Sequence, residues 1–299
     1  MKNKKKILGI ILSLTILLII SVSIYNIKEN KKIELIQLSN HTTTQMMGYI
    51  IKTKNDKMII IDGGILGDTQ NLMNYIEKHN NKVDYWFLTH NHNDHVTAFT
   101  EIAKNSNVMI DNIYVSLNEK EWYEEHERGR AEFSNYLIDL LNEEKIKPKV
   151  KTPALNEKIQ IDGMEVEILG IRNPEITQNP GNEQSMVIKF NTGKTSILIL
   201  GDTGEKSSEK LLKNQKEKLK SDIVQMSHHG QSGATKELYK EISPKICLWP
   251  SPDWLWNNDS GAGENSGPWK TLETRKWMEE LGVTKNYIEK DGDITIKIK

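Results

Sequence analysis

Thr89-His90-Asn91-His92-Asn93-Asp94-His95 sets three imidazoles and a carboxylate within six residues. It follows an apolar run, Val83-Asp84-Tyr85-Trp86-Phe87-Leu88, with the length and composition of a buried strand. Neutral imidazole nitrogen and carboxylate oxygen are ligands that Zn2+ favours and that Mn2+ or Fe2+ also uses. Alternate residues of an extended loop share a side, so His90 and His92 converge on one point. Asp94 and His95, past a bend, reach a second. A polar loop with scattered histidines would need three of the chain's eight to gather by chance. The stretch reads as a metal site.

Other apolar runs stop on polar residues in the same way. Strands are expected over 33–38, 47–54 and 57–61, the last ending in Ile61-Asp62-Gly63-Gly64. In the second half, 195–200 ends in Gly201-Asp202-Thr203-Gly204, and 222–226 ends in Ser227-His228-His229-Gly230. Further strands are expected over 112–116, 164–169, 185–190, 245–249, 285–288 and 294–298. Helical spacing covers 68–79, 96–104, 119–145 with a break near Gly129, 205–219, 235–242 and 268–281. Strands in two groups, each with its own helices, predict two sheets packed face to face with helices outside. The expectation is a single α/β domain over 33–299, a four-layer αββα sandwich.

What precedes that domain is of another kind. Residues 1–6 carry four lysines, and 7–24, ILGIILSLTILLIISVSI, hold no charge. Such a run is just long enough to cross the roughly 30 Å hydrocarbon core as a helix. The lysines should stay in the cytoplasm, which makes 1–25 a transmembrane anchor, 26–32 a tether and the domain extracytoplasmic. Cleavage at Ser21-Val22-Ser23 would release a secreted protein instead. The apolar run is longer than a usual signal core and has no Ala-x-Ala, which favours a single-pass protein of the cell membrane. A net charge of −1 over 299 residues exerts no general pull on nucleic acid or anionic lipid. The single cysteine, Cys247, excludes an intramolecular disulfide and any cysteine-rich zinc module.

Thr-His-x-His-x-Asp-His at 89–95, Gly-Asp at 201–202 and His-His-Gly at 228–230 together resemble the metallo-β-lactamase-fold hydrolases, over about 33–299. The resemblance implies two metal ions, Zn2+ first and Mn2+ or Fe2+ as substitutes. His90 and His92 would hold the first; Asp94, His95 and His228 would hold the second; Asp202 would bridge them. Asp62 would orient a ligand histidine. Many members place one more first-site histidine before the bridging aspartate. Here only His126 stands there, inside the charged run Glu124-Glu125-His126-Glu127-Arg128, where it reads as solvated. Asn182-Glu183-Gln184-Ser185 stands before a strand instead, and Asn182 and Ser185 are taken as supporting residues. This Asn-x-x-Ser, with Ser-His-His-Gly, is similar to two branches: the ComEC-type lactamase-like domain of competence DNA-uptake channels, and the phosphorylcholine esterase of teichoic acid.

Both branches point to phosphodiesters. The expected protein is an exported, membrane-anchored, metal-dependent phosphodiesterase whose nucleophile is a hydroxide shared by two ions about 3.5–4 Å apart. Asp94 would take the proton of the water and His229 would assist the leaving group. Trp249, Trp254 and Trp256, three tryptophans within eight residues, would stack on the substrate. Teichoic acid, a choline phosphodiester and nucleic acid are the substrates to expect. A lactonase or β-lactamase-type acyl hydrolase, and a non-catalytic module holding cell-wall polymer, are the alternatives.

Overall fold

A computed structural model describes residues 14–16 and 32–298. The expected anchor (1–25) and tether (26–32) therefore lie almost wholly outside the described residues. Among the described residues no helix is long and apolar enough to cross a membrane.

The chain first lays down β1 (Ile33–Gln37), β2 (Gly48–Lys52), β3 (Met58–Asp62), β4 (Lys82–Leu88), β5 (Met109–Val115) and β6 (Val150–Lys151). It then forms β7 (Lys158–Ile161), β8 (Met164–Gly170), β9 (Val187–Asn191), β10 (Ser196–Ile199), β11 (Ile223–Gln225), β12 (Ile246–Trp249) and β13 (Lys285–Ile288), and returns as β14 (Ile294–Ile298). The first sheet has the order β14-β1-β2-β3-β4-β5-β6 and the second β13-β12-β11-β10-β9-β8-β7. Side-chain alternation sorts each strand between two layers. Ile59 and Ile61 of β3 face inward with Ile168, Ile188, Ile197 and Leu248 of the second sheet. Met58 and Ile60 face outward.

Helices close the outer faces. On the first sheet, α1 (Thr69–Glu77) brings Leu72 and Ile76, and α2 (Asn93–Asn105) brings Val96, Phe99 and Ile102. There α3 (Lys120–His126) precedes α4 (Ala131–Asn142), which adds Leu137, Leu140 and Leu141. On the second sheet Leu211 of α5 (Glu205–Asn214), Leu219 of α6 (Lys216–Leu219) and Leu238 of α7 (Lys236–Ile242) cover Leu198, Val224 and Cys247. Two short segments follow, α8 (Asp253–Trp256) and α9 (Thr271–Glu280), the latter contributing Met278. Three apolar layers separate four layers of secondary structure, as the two groups of strands predict.

Some boundaries differ from the expected ones. The second helix starts at Asn93 rather than 96, because His92 in extended conformation (φ −76°, ψ 148°) caps it. Asp94 and His95 thus ride on the first helical turn and not on a loop. The stretch 119–145 is two helices, parted at Glu127–Arg130, where the break near Gly129 is expected. The unexpected β7 pairs Ile161 with Met164 around Asp162 (φ 53°) and Gly163 (φ 80°), a two-residue turn that needs left-handed conformations.

Strand direction decides where function can sit. β3, β4 and β5 run parallel, as do β10, β11, β12 and β13. Their carboxyl ends open on one edge, where the loops of the two sheets meet, Met186 N–H donating to Thr89 O (2.8 Å); within the second sheet His228 N–H donates to Gly201 O (3.1 Å). Loops at such an edge are held by rigid strands and still reach solvent.

One buried group beside this edge makes a stability prediction. Glu289, just past β13, is 0 % exposed, and neither of its carboxyl oxygens has a hydrogen-bond partner among the described residues. Burial pushes its pKa well above the usual glutamate value, and the charges of Asp68 and Asp94 add to this. The folded chain therefore binds a proton that the unfolded chain releases, so this stability is present below the ordinary glutamate range and is lost as pH rises. Glu289→Gln should be near neutral at pH 4 and stabilising by about 1–3 kcal/mol at pH 8, read from urea unfolding at both. A pH-independent difference would refute the assignment.

Candidate metal centre

Asp62 is the last residue of β3, turned by a left-handed φ of 54° so that its carboxylate enters the next loop. It accepts from Thr89 N–H (2.7 Å), Thr89 Oγ1 (2.6 Å) and His95 Nδ1 (2.7 Å). His90 Nδ1 lies 3.1 Å from Thr89 Oγ1. Asp202 follows β10, its N–H donating to Ser185 Oγ at 2.9 Å. His228 (φ 49°, ψ 50°) and His229 (φ 56°, ψ 21°) follow β11, both left-handed. Strained backbone of this kind persists where a function or its surroundings demand it.

The imidazoles meet on Asp202. His95 Nε2 is 3.2 Å from Asp202 Oδ1; His90 Nε2 and His229 Nε2 are each 3.7 Å from Oδ2; His228 Nε2 is 4.0 Å from Oδ2. His229 Nε2 is also 3.1 Å from Asp94 Oδ2. Two ligand groups result, Asp94, His95, Asp202 and His229 in one, and His90, His92 and Asp202 in the other. Asp202 belongs to both.

The atoms fit a cation. His90 Nε2, His95 Nε2, His229 Nε2 and Asp202 Oδ1 are buried with no hydrogen-bond partner, although buried polar atoms are almost always paired. With bonds of about 2.1 Å, ligands around one tetrahedral ion stand roughly 3.4 Å apart, close to the 3.2–3.7 Å that separates Asp202 from His95, His90 and His229. Each far nitrogen is held in turn: His95 Nδ1 by Asp62, and His229 Nδ1 by Pro250 O at 2.9 Å. Such contacts fix the tautomer of a ligand histidine. Burial, with the neighbouring His95 and His92, holds the His90 pKa well below its ordinary value and leaves its lone pair free. Burial would raise that of Asp202, but His95, His229 and His228 hold it well below the carboxylate range.

The geometry reverses two expected places. His229, expected to assist the leaving group, lies in the Asp94–His95 group and is 0 % exposed. His228, expected as the ligand, stays out of both groups and keeps 20 % side-chain exposure, its Nε2 3.3 Å from Asn182 Nδ2. The two left-handed residues are followed by a third, Gly230 (φ 81°), where a Cβ would strike the Trp249 ring. His90, His92, Asp94, His95 and Asp202 stand together, with Asp62 behind His95, Ser185 behind Asp202 and Asn182 beside His228. His126 lies apart, its ring 5.1 Å from Trp122.

The tryptophans are mostly occupied elsewhere. Trp249 is 0 % exposed and bonds Asn286 Oδ1 at 2.8 Å, so it is core and cannot stack on a ligand. Half-buried Trp256 packs on Trp249 and under the Arg275 guanidinium. Half-buried Trp254 lies against Trp269 and donates to Thr43 O at 2.9 Å. The loop thus pinned carries Gln45, whose Nε2 donates to Asp94 Oδ2 (2.9 Å) and whose Oε1 accepts from Gln231 (3.0 Å). Neither glutamine stands in a recognisable motif. Glu127, from the charged run around His126, reaches His92 Nε2 at 2.7 Å.

Comparison with known proteins agrees with the geometry. Residues 46–245 match the model of the metallo-beta-lactamase superfamily. ComE operon protein 3 of Bacillus subtilis (strain 168) is 29 % identical over 91 residues, 30 % of this chain and 11 % of that protein. Recombination protein 2 of Haemophilus influenzae is 30 % identical over 93 residues, 31 % of this chain and 11 % of that protein. The matched part thus spans about a tenth of either relative. Among solved structures, the metallo-beta-lactamase fold protein YhfI from Bacillus subtilis has a TM-score of 0.56 at 12 % identity, covering 89 % of this chain and 100 % of that one.

Proposed function

The chain belongs to the metallo-beta-lactamase superfamily, and from that premise we propose that it is a metal-dependent phosphodiesterase, held outside the cytoplasm by its N-terminal apolar segment. The observation that carries the reading is the set of buried atoms without a hydrogen bond around Asp202: three imidazole nitrogens and a carboxylate oxygen. His90, His92 and Asp202 would hold one divalent cation, and Asp94, His95, His229 and Asp202 the other. Bound Zn2+, or Mn2+ or Fe2+ in its place, supplies Lewis acidity toward phosphoryl oxygens and lowers the pKa of a water.

The chain's own residues do the rest. Asp94 Oδ2, steadied by Gln45, is the carboxylate placed to accept a proton at the centre. His228, on the open side, is the group placed to hydrogen-bond the substrate. Asp62, Ser185 and Pro250 O keep their partners preorganised, so that little reorganisation accompanies the reaction. A phosphodiester is favoured over an acyl substrate by the Asn182-x-x-Ser185 and Ser227-His228-His229-Gly230 pair, and by the similarity to the two competence-type relatives. Teichoic-acid, choline and nucleic-acid phosphodiesters are the candidates.

The test uses the full chain in detergent. Hydrolysis of bis-p-nitrophenyl phosphate, its loss on chelation and its return with Zn2+ are expected, with no turnover of nitrocefin or a lactone. Cleavage of nitrocefin instead would replace the proposal by an acyl hydrolase. Polymer binding without any metal uptake or turnover would replace it by a binding module. Teichoic-acid fragments and single-stranded DNA, offered in parallel, separate the phosphodiester classes.

A further inference from the structure

His90, His95 and His229 present Nε2 atoms without a hydrogen bond at the centre. His92 differs: its Nε2 is taken, 2.7 Å from Glu127 Oε1, which leaves Nδ1 as the nitrogen free for an ion. We propose that Glu127 is a positioning residue for the first metal site, fixing His92 in the tautomer that donates Nε2–H outward and turns a bare Nδ1 inward, and that Gly181 keeps the space this pair occupies. The inference rests on the reading of the centre as a metal site.

Glu127 is itself fixed. It lies just beyond α3, its N–H donating to Tyr123 O at 2.8 Å. Its other oxygen accepts from Asn91 Nδ2 (3.1 Å), which also donates to Ser134 Oγ of α4 (2.6 Å). The side chain is 10 % exposed. Gly181 gives an independent sign. Its φ of −65° and ψ of −48° are open to any residue, so its backbone asks for no glycine. A Cβ there would fall onto His92 Nε2 and Glu127 Oε1. The three atoms nearest to that Cβ all belong to the pair. A carboxylate behind an imidazole fixes its orientation and raises its basicity toward a metal. That support matters most where only two imidazoles and a shared carboxylate make up the ligand group.

The experiment measures metal rather than turnover. Full-length wild type, Glu127→Gln, Glu127→Ala and Gly181→Ala are equilibrated with graded free Zn2+, bound metal is counted by mass spectrometry, and the d–d spectrum is recorded with Co2+. One of two ions should bind about 10–100-fold more weakly in Glu127→Ala and Gly181→Ala while the other is unchanged. Glu127→Gln, still able to accept from Nε2–H, should fall between them and wild type, and the first-site Co2+ bands should shift. Two ions bound with wild-type affinity in all three variants would overturn the proposal and leave the metal-centre reading standing. A wild type that binds no ion would overturn both.

Discussion

Asp202→Ala is expected to empty the centre. Both ligand groups contain Asp202, and four histidine Nε2 atoms lie within 4.0 Å of its carboxylate oxygens. Alanine removes the one carboxylate common to both candidate ligand groups, so on the proposed function metal content should fall from two ions per chain toward none. A bound metal is worth several kcal/mol of transition-state stabilisation; about 4 kcal/mol corresponds to a loss on the order of 10³-fold in kcat/KM. Asp202→Asn should come close to it, because the amide keeps the volume and drops the charge. Folding should suffer less than catalysis, since the imidazoles left behind can shed their protons. Metal analysis beside hydrolysis of bis-p-nitrophenyl phosphate checks this. Two bound ions with activity within tenfold of wild type would remove Asp202 from the centre.

Asp62→Ala should act in the opposite proportion, on folding first. The carboxylate receives Thr89 N–H, Thr89 Oγ1 and His95 Nδ1 at 2.6–2.7 Å, and Asp62, Thr89 and His95 are all 0 % exposed. Alanine strands these donors in a dry interior, at a cost of about 3–5 kcal/mol. Asp62→Asn separates the two roles. Its carbonyl can still serve Thr89, but its amide cannot accept from His95 Nδ1–H, so the ring is driven to the tautomer with a protonated Nε2. That variant should unfold nearer to wild type and yet bind metal about 10–100-fold more weakly. Equal loss of stability in both variants, with unchanged metal affinity in Asp62→Asn, would make Asp62 a purely structural residue.

Much of the site is legible because its parts are local. His90, His92, Asp94 and His95 fall within one short stretch after an apolar strand, and Asp62, Asp202 and the His228–His229 pair each stop another strand. Parallel strands carry their stops to one edge, so period-two alternation plus polar stops predicts both the layers and the meeting point. The contacts that escaped are those made between distant residues by unremarkable side chains. Glu127 and His92 are 35 residues apart, and Gln45 and Asp94 are 49 apart. A charged run such as Glu124 to Arg128 has no periodic feature to say which carboxylate turns inward. The tryptophans show the reverse: three close together suggest a stacking surface, while strand alternation commits Trp249 to the outer core with Cys247 and Leu198.

By itself, then, the amino-acid sequence determined that two helix-covered sheets would form, and that histidines and aspartates would gather at their carboxyl edge. Both follow from hydrophobic periodicity and from ligand types set close together along the chain. Only the tertiary structure decided that His229 rather than His228 joins Asp94 and His95, that Glu127 holds His92, and that Trp249 is packing. Those outcomes depend on two consecutive left-handed residues after β11, on the break between α3 and α4, and on which face of β12 meets the helices. Each is a matter of torsion angles and long-range packing, on which residue identity along a single chain places only weak constraints.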